Sequence, residues 1–227
     1  MIMTISSARH MNIGPARFNM IEQQIRPWGV LNPKVIDGLR ELDRQHFVPL
    51  QYKSMAYADI EIPLEQGQCM LRPKIEARLI QALLPTHHDD ILEIGTGSGF
   101  MTALLATLGN QVTSVDIFPG FLAQTEAKLH SHGIENVTLE AGDGALGWGD
   151  TKKWDAILLT ASTPRIPAAY ENLLKPGGRL VAVVGDLPSM EAIVITRLKN
   201  GALQRQSLFD TCIAPLINAQ TKSEFHL

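Results

Sequence analysis

Apolar positions in the second half of the chain follow two alternating patterns. Short apolar runs predict strands near 90–94, 112–116, 136–140, 155–160 and 179–184. Between them, apolar residues at helical spacing predict helices near 99–108, 119–132 and 167–174. Because strands that alternate with helices form parallel sheets covered on both faces, we expect a doubly wound α/β fold.

The pattern changes near the carboxyl terminus. Two apolar segments, 191–198 and 204–213, flank the sequence Lys-Asn-Gly at 199–201. Asn-Gly between strands is typical of a tight hairpin turn. The mostly parallel sheet is therefore predicted to end in an antiparallel pair.

The first 85 residues show helical patterns without alternating strands. A short helix is predicted over 19–26, and a second one over 33–42, where Asn32 can cap the helix and Pro33 suits its first turn. A third helix is expected to begin at Pro73 and to end before Pro85.

These patterns divide the chain as follows. Residues 1–18 are expected to form a flexible N-terminus, and residues 19–227 a single domain. Within that domain, a helical cap (19–85) is expected to pack on a Rossmann-like core (86–227).

Composition narrows the possible functions. The 227 residues are 45% hydrophobic and 19% charged, as in an ordinary globular protein, and the net charge of -3 gives no basic footprint for nucleic acid. Two cysteines form neither a disulfide framework nor a metal motif, and no apolar run approaches the roughly 18 residues of a membrane span. We expect a cytoplasmic monomer with no metal, nucleic acid or membrane partner.

A glycine-rich loop follows the first predicted core strand. Residues 91–100 read Ile-Leu-Glu-Ile-Gly-Thr-Gly-Ser-Gly-Phe, and a strand, glycine loop and helix in this order open many nucleotide-binding folds. The G-x-G-x-x-G pattern of NAD-binding proteins is not met, because Phe100 stands where the third glycine should be. No G-x-x-x-x-G-K-[ST] motif for ATP occurs.

Polar residues follow three further strands of the predicted sheet. Asp116 ends the second strand, Asp143 follows the third, and Thr160 ends the fourth. The carboxyl ends of parallel strands meet at one edge, which is where such folds bind ligands. We therefore expect these side chains to converge on a single ligand.

The spacing Glu-x-Gly-x-Gly-x-Gly at 93–99 resembles the cofactor loop of S-adenosylmethionine (SAM) methyltransferases. This resemblance implies that Glu93 holds the ammonium group of SAM directly or through water, that Asp116 accepts from the ribose hydroxyls, and that Asp143 accepts from the adenine amino group. The complete expected cofactor set is Glu93, Gly95, Thr96, Gly97, Ser98, Gly99, Asp116, Ile117, Gly142, Asp143, Gly144 and Thr160.

Over about residues 19–218 the chain resembles protein-L-isoaspartate O-methyltransferases. The matching segments, besides the glycine loop, are Leu-Asn-Pro-Lys-Val at 31–35, His-Phe-Val-Pro at 46–49, Ala-Tyr-Ala-Asp at 56–59, Gly-Gln at 67–68, Gly-Asp-Gly at 142–144, Trp-Asp-Ala-Ile at 154–157, Thr-Ala-Ser at 160–162, Ile-Pro at 166–167 and Leu-Lys-Pro-Gly-Gly-Arg-Leu at 174–180. The resemblance implies methyl transfer from SAM to the side-chain carboxylate of isoaspartyl residues in damaged proteins.

One segment departs from the family pattern. The family usually carries Gly-Gln-Thr-Ile-Ser-x-Pro, whose serine lies near the transferring methyl group, whereas this chain has Cys69 and Leu71 in place of the two hydroxyl residues. A leucine cannot hydrogen-bond a carboxylate. We hypothesise that Arg72 takes part of this role because its planar guanidinium suits carboxylates. Leu71, Arg72 and Thr160 are the candidate catalytic residues.

Two alternatives follow from this departure. The protein either methylates a different carboxylate or small molecule, or binds SAM without turnover. The chemistry requires no acid–base residues, because a carboxylate is already ionised at neutral pH.

Overall fold

The structure, a computed structural model, describes residues 14–149 and 151–219. The expected flexibility of residues 1–13 lies outside the described residues. The first helix, α1 (Pro15–Asn19), continues into a π-helical turn (Met20–Ile25) and a 3₁₀ turn (Arg26–Trp28). The helix predicted over 19–26 therefore begins earlier, because Pro15 occupies a favourable first-turn position. The expected boundary at residue 18 falls inside α1.

The remainder of the cap is built from two helices and short turns. In chain order it contains α2 (Pro33–Glu41), 3₁₀ turns at Arg44–His46 and Leu50–Met55, strand β1 (Ile62–Pro63), a 3₁₀ turn at Glu65–Gly67, strand β2 (Cys69–Met70) and α3 (Pro73–Leu83). The Asn32 side chain caps α2 by accepting from the amides of Lys34 and Val35, as predicted. The antiparallel β1–β2 ladder was not predicted, since two-residue strands carry no periodic signal.

The core alternates strands with helices. Its elements are β3 (Asp90–Ile94), α4 (Phe100–Leu108), β4 (Gln111–Asp116), α5 (Pro119–Ser131), β5 (Val137–Ala141), β6 (Trp154–Thr163), α6 (Ala168–Asn172), β7 (Leu174–Asp186), β8 (Ser189–Arg197) and β9 (Leu203–Asp210). The seven-stranded sheet has the order β5-β4-β3-β6-β7-β8-β9. Strands β3 to β7 run parallel, and β8 and β9 are antiparallel, so the predicted mixed sheet is confirmed.

Two core strands, β6 and β7, are longer than predicted. Strand β6 continues three residues beyond 160, and it contains a bulge where residues 159–161 face a single residue of β7. Beyond the bulge, the Ser162 backbone bonds the C-terminal segment at Ala214 and Leu216. The sequence pattern ends at residue 160 because the bulge interrupts the regular alternation of side chains.

The cap and the core share one apolar interior. Leu39 of α2, Leu79 of α3, Leu104 of α4 and Val181 of β7 belong to the same buried cluster. Gly38 lets α2 approach α4 closely, since an added Cβ there would lie 2.8 Å from Leu104 Cδ1. The opposite face of the sheet packs on a second cluster that includes Tyr170 of α6. Helices therefore cover both faces.

This shared interior predicts that damage to the cap destabilises the whole domain. Leu79→Ala removes a side chain with no solvent exposure and should lower the free energy of unfolding by about 2–5 kcal/mol. Urea unfolding followed by fluorescence and circular dichroism should still show a single transition. Leu31→Ala, at a position 65% exposed, is the control and should change stability by about 0.5 kcal/mol or less. Separate transitions for cap and core would contradict this view.

Candidate cofactor cleft and active site

A cleft opens where the order of the sheet reverses. From β3 the chain adds β4 and β5 on one side and then returns to place β6 on the other side. The cleft lies at the carboxyl ends of these strands and encloses about 710 Å³, its open mouth included. Of the predicted site residues, it is lined by Leu71, Gly95, Gly97, Asp116, Ile117, Gly142, Asp143, Gly144 and Thr160.

The glycine loop and β6 touch at the base of the cleft. The Thr160 hydroxyl lies 2.7 Å from the carbonyl oxygen of Gly95 and 3.0 Å from that of Ile94, and it donates its proton to this pair. Gly95 has φ of +101°, and an added Cβ would lie 2.2 Å from Thr160 Oγ1. Both the backbone conformation and the close approach therefore require glycine.

Asp116 faces the loop from the end of β4. Its carboxylate accepts from the amides of Gly97 and Phe118, each at 2.9 Å. Burial raises the pKa of Asp116, and these backbone donors oppose the rise. The two amides fix the orientation of the carboxylate, and each oxygen keeps a further lone pair for a ligand hydroxyl.

The Gly-Asp-Gly segment forms another wall. The Asp143 carboxylate accepts from the Ala145 amide at 2.9 Å and from Asn218 Nδ2 at 2.8 Å. The buried Tyr170 hydroxyl donates to the carbonyl oxygen of Gly144. An added Cβ at Gly144 would lie 2.7 Å from Ile94 Cγ2, so only glycine lets this segment pack so closely against Ile94.

Glu93 lies beneath the loop and does not line the cleft. It is fully buried, and its Oε2 accepts from Thr102 Oγ1 at 2.5 Å and from Ser114 Oγ at 2.6 Å. Its Oε1 has no partner among the described residues. Burial raises the pKa of Glu93 to about 8, against the effect of the two hydroxyl donors. Glu93 is therefore largely protonated at neutral pH.

Three further loop residues shape the loop from behind. The Thr96 hydroxyl joins Ser114 at 2.6 Å, and the Ser98 carbonyl accepts from Lys128 Nζ at 2.9 Å. Gly99 caps α4 with φ of +83°. None of the three lines the cleft, so any effect on a ligand passes through the backbone of the loop.

The segment with the unusual sequence forms the far wall. Leu71 is 8% exposed and lines the cleft beside Cys69, whose thiol pKa is raised to about 11 by burial and by Glu61. Arg72 lies elsewhere: it is half exposed, 3.8 Å from Glu61, and lines a neighbouring groove with Trp28. The structure therefore brings Leu71 and Thr160 to the cleft but not Arg72.

Several lining residues were missed by the sequence analysis. They are Gln68, Ile94, Val115, Phe118, Phe121, Ala145, Ala161 and the segment 214–217. Phe118 and Phe121 lie two and five residues after Asp116 and could have been found from their place after a site strand. The segment 214–217 reaches the cleft through its pairing with Ser162, for which the sequence carries no local signal.

The chemistry of the lining indicates the kind of ligand. Two carboxylates, Asp116 and Asp143, face the cleft, and none of its lining residues within the described chain is basic. Phosphate groups of NAD or ATP would lack a charge partner here. The cleft suits a nucleoside that carries hydroxyl and amino donors and a positive charge. A doubly wound fold with such a cleft is typical of enzymes whose cofactor is a nucleoside that carries no phosphate.

Comparison with known proteins identifies the family. The model of the family described as Protein-L-isoaspartate(D-aspartate) O-methyltransferase (PCMT) matches residues 16–221. A protein-L-isoaspartate O-methyltransferase of Anaeromyxobacter dehalogenans (strain 2CP-C) is 40% identical over 190 residues, which cover 83% of this chain and 91% of that protein. One of Rhodopseudomonas palustris is 36% identical, with coverage of 88% and 93%. The chain belongs to the protein-L-isoaspartate O-methyltransferase family.

A solved structure supports the fold. A Plasmodium falciparum protein described as a protein-L-isoaspartate O-methyltransferase, in complex with S-adenosyl-L-homocysteine, superposes with a TM-score of 0.73. The superposition covers 88% of this chain and 96% of that one at 19% identity. At this level of identity, the likeness confirms the fold.

Two features are absent from the described residues. Within 14–149 and 151–219, no helix has the length and apolar character needed to cross a bilayer. In the same part of the chain, His, Cys, Asp and Glu side chains do not gather in groups of three or more that could hold a metal ion.

The burial of Glu93 predicts a pH effect on stability. An unfolded Glu has a pKa near 4.3, so between about pH 4.3 and 8 the native state holds a proton that the unfolded state lacks. Stability therefore falls as pH rises through this range. Glu93→Gln should remove this contribution and flatten the fall by up to about 1.4 kcal/mol per pH unit.

Urea unfolding of both proteins at half-unit steps from pH 5 to 9 measures the difference. Asp116 contributes to the raised pKa of Glu93, so the comparison measures the loss of the Glu93 proton together with this coupling. Parallel stability curves for Glu93→Gln and the parent would show that Glu93 ionises normally in the fold.

Proposed function

We propose that this protein transfers the methyl group of SAM to the carboxylate of L-isoaspartyl residues in damaged proteins. The observation that carries the proposal is an acidic cleft without basic lining residues at the switch point of the sheet, in a chain of this family. SAM carries a ribose, an adenine, an ammonium and a sulfonium, and it carries no phosphate. The relatives of the family bear the name of this activity.

The cleft residues fit this cofactor. We propose that Asp116 accepts from ribose hydroxyls, and its hydrogen bonds to the amides of Gly97 and Phe118 support this by fixing the carboxylate. Asp143, held by Ala145 and Asn218, is the acceptor for an amino group on the base. Glycines 95, 142 and 144 keep side chains out of the space that the ligand needs.

Glu93 acts on the ammonium group only indirectly in this proposal. Its buried Oε1 has no partner within 14–149 and 151–219, and its other oxygen accepts from Thr102 and Ser114. We propose that Glu93 supports the loop from below and reaches the ligand through an ordered water. Thr160 similarly acts by fixing the carbonyl oxygens of Ile94 and Gly95.

The methyl-transfer chemistry asks little of the protein beyond positioning. Bound SAM supplies an electrophilic methyl group on a good leaving group. The acceptor carboxylate is ionised at neutral pH and needs no general base. Holding the two reactants in line can supply roughly 7–11 kcal/mol of the barrier. We propose that Leu71 and neutral Cys69 form the wall beside the acceptor and exclude water from it.

A second candidate follows from the same wall. Because Leu71 offers no hydrogen bond, a different carboxylate or a small-molecule acceptor could fit as well as an isoaspartyl side chain. The proposed cofactor is the same in both cases. Acceptor identity separates the two candidates.

Transfer of labelled methyl from SAM to an isoaspartyl peptide tests the proposal, with the aspartyl peptide of the same sequence as control. We expect base-labile label on the isoaspartyl peptide alone. Label on neither peptide, while calorimetry shows that SAM binds, would reject isoaspartate as the acceptor and favour the second candidate or a binding protein without turnover. A lack of SAM binding would reject both enzymatic candidates.

Gly95→Ala tests the role of the loop. The added Cβ would meet Thr160 Oγ1 at 2.2 Å in a backbone conformation unsuited to alanine. We expect the Kd for S-adenosyl-L-homocysteine, measured by calorimetry, to rise by about tenfold or more. Gly120→Ala is the matched control, because an added Cβ there meets nothing within 4 Å and φ is not positive. Equal affinity in the two variants would exclude this close approach as a requirement for binding.

A further inference from the structure

A buried arginine joins the cap to the wall of the cleft. Arg44 is 1% exposed and lies in the 3₁₀ turn between α2 and the Phe-Val-Pro segment. Its Nε and Nη2 donate to the two carboxylate oxygens of Glu76 on α3, at 2.9 and 3.2 Å. The guanidinium carbon lies 5.5 Å from the ring centre of Phe100, the first residue of α4.

The remaining donors of this arginine reach two backbone carbonyls. Nη2 donates to the carbonyl oxygen of Leu71, and Nη1 donates to that of Ala56, each at 2.7 Å. Four hydrogen bonds therefore join one planar group to α3, to residue 56 and to residue 71. A lysine cannot reproduce this planar fork, because all three of its N–H donors are on one nitrogen atom.

The contact with Leu71 connects this network to the active site. The Leu71 side chain lines the cleft, while its carbonyl oxygen points to Arg44. The backbone of residues 69–72 runs from β2 to the start of α3, and Arg44 holds it from the side away from the cleft. A shift of this segment by one ångström would move the wall that faces the acceptor.

We propose that Arg44 is a positioning residue for methyl transfer: it fixes the backbone of residues 69–72 so that Leu71 holds the acceptor against the cofactor. This inference rests on the proposed function. A buried ion pair is by itself weak evidence for stability, because desolvation of the two charges offsets their attraction. The role proposed for Arg44 therefore rests on its hydrogen bonds to the carbonyl oxygens of Ala56 and Leu71, which it makes in addition to the pair with Glu76.

Arg44→Lys is the primary test. We expect the KM for the isoaspartyl peptide to rise by about tenfold or more, because a small misplacement of a binding wall costs this much. The Kd for S-adenosyl-L-homocysteine should stay within about threefold of the parent value. Hydrogen exchange of the amides in residues 69–72 should become faster in the folded protein.

Arg179→Lys is the matched control at the other end of α3. Arg179 also joins a carboxylate, Asp89, to two backbone carbonyls, those of Leu83 and Leu84, and none of these residues lines the cleft. If arginines that join a carboxylate to backbone carbonyls act only on stability, both variants should give the same kinetic result. We expect unchanged peptide KM and unchanged exchange at residues 69–72 in Arg179→Lys.

A double variant keeps the test decisive if Arg44→Lys does not fold. Arg44→Met with Glu76→Leu removes both charges and fills a similar volume, which commonly preserves folding. It should lose peptide affinity and protection at residues 69–72 as Arg44→Lys does. Wild-type KM and wild-type exchange in either folded variant would overturn the proposal.

The exchange measurement needs no substrate and therefore separates two kinds of failure. If the parent protein does not methylate the peptide, the proposed function fails. Faster exchange at residues 69–72 in the variants would then still support the role of Arg44 in holding this wall.

Discussion

The hydroxyl of Thr160 holds the carbonyl oxygens of Ile94 and Gly95, and the geometry of the cleft depends on this contact. It joins the two strands between which the sheet order reverses. The bulge at residues 159–161 of β6 changes the direction of the strand at this point. Because the two strands approach so closely, the loop begins with a residue that lacks a side chain. This one contact therefore fixes the end of β3, the start of the glycine loop and the base of the cleft relative to one another.

Three carboxylates lie around this loop in different surroundings. Burial raises the pKa of Glu93 to about 8, so it serves as a neutral hydrogen-bonding group under the loop. Asp116 is also buried, but backbone amides donate to both of its oxygens and favour the charged form. Asp143 receives one amide and one side-chain donor. The cleft therefore presents two oriented carboxylates, Asp116 and Asp143, while Glu93 lies beneath the loop and does not line the cleft.

The sequence predicted the core well because each element carries its own periodic signal and each strand end carries a polar residue. Features that depend on contacts between distant residues could not be predicted. The segment 214–217 reaches the cleft only through its pairing with Ser162. Arg72 was expected beside the substrate because it is adjacent to Leu71 in sequence. In extended backbone, however, successive side chains point to opposite sides, and Arg72 therefore lies in the neighbouring groove.

The departure at Leu71 changes what the side chain at this position can offer to a ligand. A serine can bind a carboxylate by a directional hydrogen bond. A leucine can contribute only its shape and the exclusion of water, which are not directional. The neutral thiol of Cys69 adds no charge to this wall. The side chain at position 71 is carried by its backbone, and in this structure the buried guanidinium of Arg44 donates to the carbonyl oxygen of that residue.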